Sequence, residues 1–551
     1  MKKTFLVFVL AAALLLPSSL FGQAEAAKAK SPSRNAAENI TSDQLKDYLY
    51  FVASDEMEGR DTPSRGLDTT AKFIATLLSR WGVKPAGEDG TYFQKIVLKR
   101  NAIDPANSFV QIGGEKYPYG VDYYRYPGST AETVSGPLVY AGNGWVVKAK
   151  NINPFEGIDV KGKIVLLLGE GQGGRGTLIP MPSGITADDL KGEKGVDWSD
   201  GVTYAKNHGA AAVVVLPSPA IAAGWGNLRQ FLGRGGLRPE KLQPTGGMSV
   251  ALPTYVISPH AAEAVFAGEA ANPMTGPAKS FELNASKQFG ITTITKAETL
   301  MTQNVVGLIE GSDPVLKKEM VAVGAHYDHV GTNPNAPGTD KIWNGADDDG
   351  SGTVSILSMA EALAKSPKKP KRSVLFVWHC GEEKGLWGSE YFNKFPTVNI
   401  KDVTAQLNID MIGRSRKPDD TNPKNKDLSG QNEVFVIGSV MMSSTLGSVV
   451  NGINSAYLKL DYNTKYDDPK DTNRFFFRSD HFNYALNGIP ITFWFDGVHE
   501  DYHQPGDEPQ KIDYPKMEKI ARTIFLTMWE LADLKQRPAV DKQLPPELSQ
   551  R

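Results

Sequence analysis

Cysteine is nearly missing: Cys380 is the only one in 551 residues. The chain therefore has no intrachain disulfide framework, and its fold rests on packed cores with metal as the remaining cross-link. An excess of one charge sign is also missing. Against 60 Lys and Arg stand 62 Asp and Glu, a formal net charge of -2, which leaves no bulk field to draw nucleic acid or an anionic membrane. No apolar run reaches the roughly 20 residues needed to span a bilayer. The HEXXH helix of single-zinc hydrolases is absent, and GEGQGGRG (169–176) lacks the G-K-[ST] ending of a phosphate-binding loop, so it reads as a surface loop. Cys380 follows an apolar strand beside acidic residues that raise a thiol pKa, which argues against a nucleophile.

Lys2 and Lys3, the apolar run Phe5 to Leu16, and Ala24 and Ala26 in an A-x-A pattern predict a signal peptide over 1–26, cleaved after Ala26. Cleavage after Gln23 and an uncleaved membrane anchor are the other readings. A periplasmic or secreted location follows, with no stable membrane insertion after cleavage, and the missing downstream cysteine argues against a lipid anchor. A chain this long needs at least two cores. An Ala/Lys/Ser-rich leader to about residue 38 reads as flexible. Next come a helix capped by Thr41, a polar turn-rich loop MEGRDTPSRG (57–66), and a helix over Asp68–Trp81. From about 133 to 280, short β-branched runs alternate with Gly/Pro-rich loops, as in a small inserted domain. The expected division is 27–132, an insert at 133–280, a main part at 281–535, and a flexible tail at 536–551.

Beyond residue 303 the rhythm is strand then helix, with continuous apolar strands such as 319–324, 372–378, 403–409 and 489–495. Such runs fit interior strands, so the expected fold is α/β: a mostly parallel central sheet flanked by helices, with an inserted small β-rich α/β domain. Ligands of such sheets lie beyond the carboxyl ends of the strands. Five acidic or histidine-bearing stretches fall there: AHYDH (325–329), NGADDDGSG (344–352), HCGEEKG (379–385), LNIDMIG (407–413) and, from a loop, DYHQPGDE (501–508).

Each stretch alone has an ordinary reading as a solvated cap or strand end. His326 and Asp328, two apart in extended chain, point the same way, so one can ligate metal while the other orients the ring. Asp347, Asp348 and Asp349 repel one another unless a cation or strong hydrogen bonds intervene. Glu382 and Glu383 are adjacent, which lets one hold metal while the other takes a proton. Asp410 ends an apolar strand, and His503 sits between Tyr502 and Asp507. Six of eight histidines lie after residue 325. This convergence supplies ligands for two neighbouring divalent metals and a general base, hence a metal-dependent hydrolase.

The ordered set AHYDH, GADDDGSG, GEEKGLWGSEYF, NIDMIG, SDHF and YHQPGDE, with MEGR and GVKPAG upstream, resembles the secreted bacterial co-catalytic zinc aminopeptidases of peptidase family M28 that carry a protease-associated insert. The resemblance implies Asp348 as the carboxylate bridging two zinc ions, His326 and Asp410 completing one site, and Glu383 and His503 completing the other. It implies Glu382 as general base acting on a metal-bridging hydroxide, and Asp328 as the group orienting His326. His329 falls at a position that varies in the family and receives no role. Peptides with a free N-terminus are the implied substrates. A carboxypeptidase, with Arg474 and Arg478 as its only closely placed cations, and a peptide-binding protein of the same fold are the competing readings. The sequence leaves the oligomeric state open.

Overall fold

The computed structural model describes residues 31–549, apart from 127–131, 170–178, 180, 227, 229–235, 243–251 and 335. The predicted signal peptide and most of the predicted surface loop at 169–176 lie outside the described residues. Helix α1 (Ser42–Val52) begins where Thr41 Oγ1 accepts from Gln44 N at 3.2 Å. Helix α2 (Arg65–Arg80) starts three residues before the periodicity suggested, because Ser64 Oγ caps Leu67 N. The leader read as flexible to residue 38 is in fact helical over Pro32–Ala37, capped by Ser31, with Ala36 and Ala37 buried.

A ten-stranded sheet forms the frame. Its main strands are β1 (Phe93–Ile103), β2 (Thr295–Ile309), β3 (Met320–His326), β4 (Ser373–His379), β5 (Val403–Ile409), β6 (Glu433–Ile437), β7 (Asp461–Asn463) and β8 (Ile491–Phe495). Their spatial order is β1-β2-β4-β3-β5-β8-β6-β7. The sheet is mixed, which corrects the mostly parallel sheet expected. The centre β4-β3-β5-β8 is parallel, whereas β1, β2 and β4 pair antiparallel, as do β8 and β6. An interior strand buried on both faces reads as one apolar run whichever way its neighbour points.

Both faces are covered. Val321, Val323 and Ala325 of β3 pack into one core with α1, α2, α3 (Gly352–Lys365) and α4 (Tyr514–Asp533). Met320 and Ala322, pointing the other way, join the core built with Phe475, Phe476, Phe482 and Tyr484. The segment expected as a flexible tail is anchored: Leu548 is buried in that second core, and Arg537 donates to Glu319 at 2.8 Å. Away from this frame, strands Tyr123–Arg125, Leu138–Tyr140, Ile164–Leu168, Ala212–Leu216, Thr254–Ile257 and Phe281–Glu282 make a separate six-stranded sheet with cores of its own. A four-stranded sheet joins Phe109–Ile112 with Phe289–Thr292. Among the described residues no helix is long and apolar enough to cross a membrane.

Candidate metal centre

The parallel centre of the sheet delivers the site. In register, His326 at the end of β3 stands opposite His379 at the end of β4, and Asp410 follows β5 directly. The loop before α3 brings in Asp348, and the loop after β8 brings in His503. Asp348 faces both ways: Oδ1 lies 3.3 Å from His326 Nε2, and Oδ2 lies 3.1 Å from His503 Nε2. Asp410 Oδ1 is 3.6 Å from His326 Nε2, and Glu383 Oε1 is 3.0 Å from His503 Nε2. Two donor clusters result, His326/Asp348/Asp410 and His329/Asp348/Glu383/His503, with the ligand atoms of each within 4.8 Å of one another.

The donor set fits zinc. Four donors at about 2.0–2.1 Å in a tetrahedron stand about 3.3–3.4 Å apart, close to the separations found here. Glu383 Oε1, His503 Nε2 and His329 Nδ1 are buried and make no hydrogen bond among the described residues, although they crowd one point. Carboxylate and imidazole pressed together in this way are satisfied by a shared cation. Charge follows the same logic. Burial opposes protonation of His503, yet Asp348 and Glu383 beside it push it up to about 10. Burial likewise opposes ionisation of Asp348, and His326 and His503 overcome it, holding that carboxyl well below its ordinary value. Burial, with the Glu383 and Asp410 charges adding, pushes Glu382 well up despite His326.

The other two aspartates of the triple-Asp loop act as struts. Asp349 accepts from His326 N, Gly352 N and Met411 N at 3.2, 2.9 and 3.2 Å, tying β3, α3 and the β5 loop together. Asp347 accepts from Gly413 N at 2.7 Å and stands 3.2 Å from His499 Nε2. Asp507 accepts from the backbone N of both Asp347 and Asp348, at 3.0 and 3.1 Å. Sequence reading placed Asp507 beside His503; it supports the bridging loop instead. Tyr502 does stack on His503, with ring centroids 4.0 Å apart.

Asp328 sits under both motifs. His326 Nδ1 donates to the Asp328 carbonyl at 3.1 Å, and the Asp328 carboxylate, 3.6 Å from Nδ1, accepts from Glu382 N at 3.1 Å. It thereby links the ring of one cluster to the backbone of Glu382. Arg60, in the loop whose composition gave no role, is fully buried. It donates to the carbonyls of Val52, Tyr327, Asn344 and Gly345 at 2.7–2.9 Å. A buried carbonyl left unpaired costs about 1–3 kcal/mol; of these four, Gly345 O also accepts from Gly350 N at 3.1 Å. Burial pulls Arg60 down to about 10, while Asp328 and Asp348 pull the other way. Thr62 Oγ1 accepts from Gly381 N at 3.1 Å, and Lys384 pairs with Asp61 at 2.5 Å, so the same loop also holds the Glu382 turn. Cys380 is buried, and burial followed by the Asp328 charge pushes its thiol well up, which removes it as a nucleophile.

Beside the clusters lies a cleft whose lining combines Asp348, Glu382 and Asp410 with Phe475, Phe493, Phe495 and Val498. Arg478 lies on its wall, donating to Tyr502 Oη at 3.1 Å, whereas Arg474 is exposed over Phe477.

Residues 304–528 match the model of peptidase family M28. A probable leucine aminopeptidase of Arthroderma benhamiae is 30% identical over 230 residues, covering 40% of this chain and 56% of that protein. A probable zinc metalloprotease of Phaeosphaeria nodorum is 27% identical over 274 residues, covering 43% and 53%. The chain thus spans about half the length of the curated relatives it matches. Among solved structures, an aminopeptidase from Aneurinibacillus sp. strain AM-1 is similar with a TM-score of 0.48 and 17% identity over 93% of this chain and 98% of that one. A zinc aminopeptidase from Bacillus subtilis has a TM-score of 0.48 and 17% identity over 92% and 99%.

Proposed function

We propose that the chain is a two-zinc aminopeptidase of the M28 type that removes N-terminal residues from peptides. The observation that carries this reading is Asp348, which turns one carboxylate oxygen to each donor cluster while Glu382 lines the adjoining cleft. His326, Asp348 and Asp410 would hold one zinc, and Asp348, Glu383 and His503 the other. When bound, the two ions would polarise the scissile carbonyl and make a water nucleophilic at neutral pH. Glu382, on the cleft wall beside Asp348 and Asp410, would take a proton from the attacking water and return it to the departing amine. Asp328 holds the Glu382 backbone in place for the transfer. The carboxylates of the cleft lining, Asp348, Glu382 and Asp410, suit a free α-ammonium, and Phe475, Phe493, Phe495 and Val498 suit an apolar side chain on the first residue.

A carboxypeptidase is the second reading, favoured by Arg478, a cation on the cleft wall that suits a terminal carboxylate. One panel separates the two. Matched peptides that are free, N-acetylated or C-amidated are assayed after zinc restoration, and the free and amidated forms should lose their first residue at similar rates while the acetylated form resists. Equal cleavage of the acetylated form, or dependence on a free C-terminus, would replace the aminopeptidase reading.

The six-stranded sheet is read as a protease-associated insert. Export is proposed from Lys2, Lys3 and the run Phe5 to Leu16. Protein recovered from extracytoplasmic fractions should have a mass that begins near Ala27, and an intact Met1 in the cytosol would sink that proposal.

A further inference from the structure

His329 ends the AHYDH stretch three residues beyond His326, and its place in the fold is not that of a spectator. The residue is fully buried, and neither ring nitrogen makes a hydrogen bond among the described residues. Its Nδ1 lies 3.0 Å from Glu383 Oε1 and 3.8 Å from Asp348 Oδ2. These are the same two oxygens that His503 Nε2 approaches at 3.0 and 3.1 Å. The His329 and His503 rings stand 5.5 Å apart at 74°, edge to face, so two imidazoles converge on one pair of carboxylate oxygens from different directions.

The ring is held there. His329 N donates to the Arg60 carbonyl at 3.1 Å. On the other side the ring lies against the backbone of Gly345, where an added Cβ would come within 2.5 Å of His329 Cγ. Gly345 has φ +57°, a left-handed conformation that glycine adopts without strain. The turn therefore leaves space for an imidazole and aims it at the cluster.

We infer that His329 is a fourth protein ligand of the zinc held by Asp348, Glu383 and His503. This rests on the two-zinc reading of the site. Among the described residues it makes the two positions unequal: one with four protein donors, two of them imidazoles, and one with His326, Asp348 and Asp410. A fourth donor adds a bond and a second imidazole to that ion, and a zinc that expands to five-coordinate still has room for the water of the proposed reaction. The four-donor position accordingly binds its ion more tightly and gives it up last, and the exchangeable ion is the one on the β3/β5 side.

The test begins with the wild-type full chain loaded with zinc, whose metal content establishes whether two ions are present at all. X-ray absorption at the zinc edge should then count three imidazoles shared by two ions. Two imidazoles would overturn the assignment of His329, whereas fewer than two zinc ions per chain would overturn the two-zinc reading instead. Chelator competition should release the wild-type ions in two separated steps. His329→Ala should weaken the tighter step by at least about 100-fold, since loss of a direct ligand costs no less than the 10–100-fold typical of residues one shell further out. His329→Gln retains a hydrogen-bond donor for Glu383 but no imidazole, and should bind zinc as weakly as the alanine variant. Wild-type affinity in His329→Gln would show that the ring only positions Glu383. If neither variant folds, the imidazole count on the wild-type chain decides alone.

Discussion

Asp348→Asn should take the zinc content from two ions per chain to at most one and lower peptide hydrolysis by at least about 100-fold. The residue is the one member shared by both donor clusters, and each of its oxygens faces a different histidine, at 3.3 and 3.1 Å. Asparagine keeps the shape but offers a neutral oxygen and an NH₂ that cannot ligate, so one cluster loses a donor and both lose charge. The backbone N of residue 348 would still donate to Asp507, which keeps the loop in place and separates loss of metal from loss of fold. The check is metal analysis alongside turnover on the same preparation. Retention of two zinc ions with turnover within about tenfold of wild type would show that Asp348 does not bridge, since even an outer-shell loss typically costs 10–100-fold.

Glu382→Gln should behave differently. Hydrolysis should fall by at least about 100-fold, the lower range for general acid–base catalysis, while both zinc ions remain. Glu382 belongs to neither donor cluster among the described residues but lines the cleft with Asp348 and Asp410. An amide of the same size loses the proton-accepting group and little else. Its backbone anchor, Glu382 N to Asp328 Oδ1 at 3.1 Å, does not involve the changed atoms. Zinc content and turnover measured together decide the matter: near-normal turnover requires another base, and lost zinc would make Glu382 a ligand.

That acidic and histidine stretches meet at one edge could be read from the chain, because residues directly after apolar strands of an α/β sheet share that edge. Local elements followed from local chemistry, as with the Thr41 cap of α1 and the unbroken strand 403–409. What could not be read depends on distant partners. Arg60 lies in a polar loop, and nothing near it in sequence announces that it satisfies carbonyls of Tyr327, Asn344 and Gly345 more than 260 positions away. Asp507 looks like a neighbour of His503 in sequence, yet its acceptor oxygens face the backbone of Asp347 and Asp348. His329 received no role from the sequence; its burial depends on Gly345 and Arg60, which meet it only in the fold. The directions of β2 and β6 escaped for another reason: a buried strand carries the same residues whether its neighbours run with it or against it, so a mixed sheet reads as a parallel one.

The most direct test of the account is the zinc content of the active protein. Protein exchanged into metal-free buffer, titrated with zinc and freed of excess should hold two ions per chain at the point where peptide hydrolysis is fully restored. Full activity at one ion per chain, or at none, would contradict a centre in which Asp348 joins two metals.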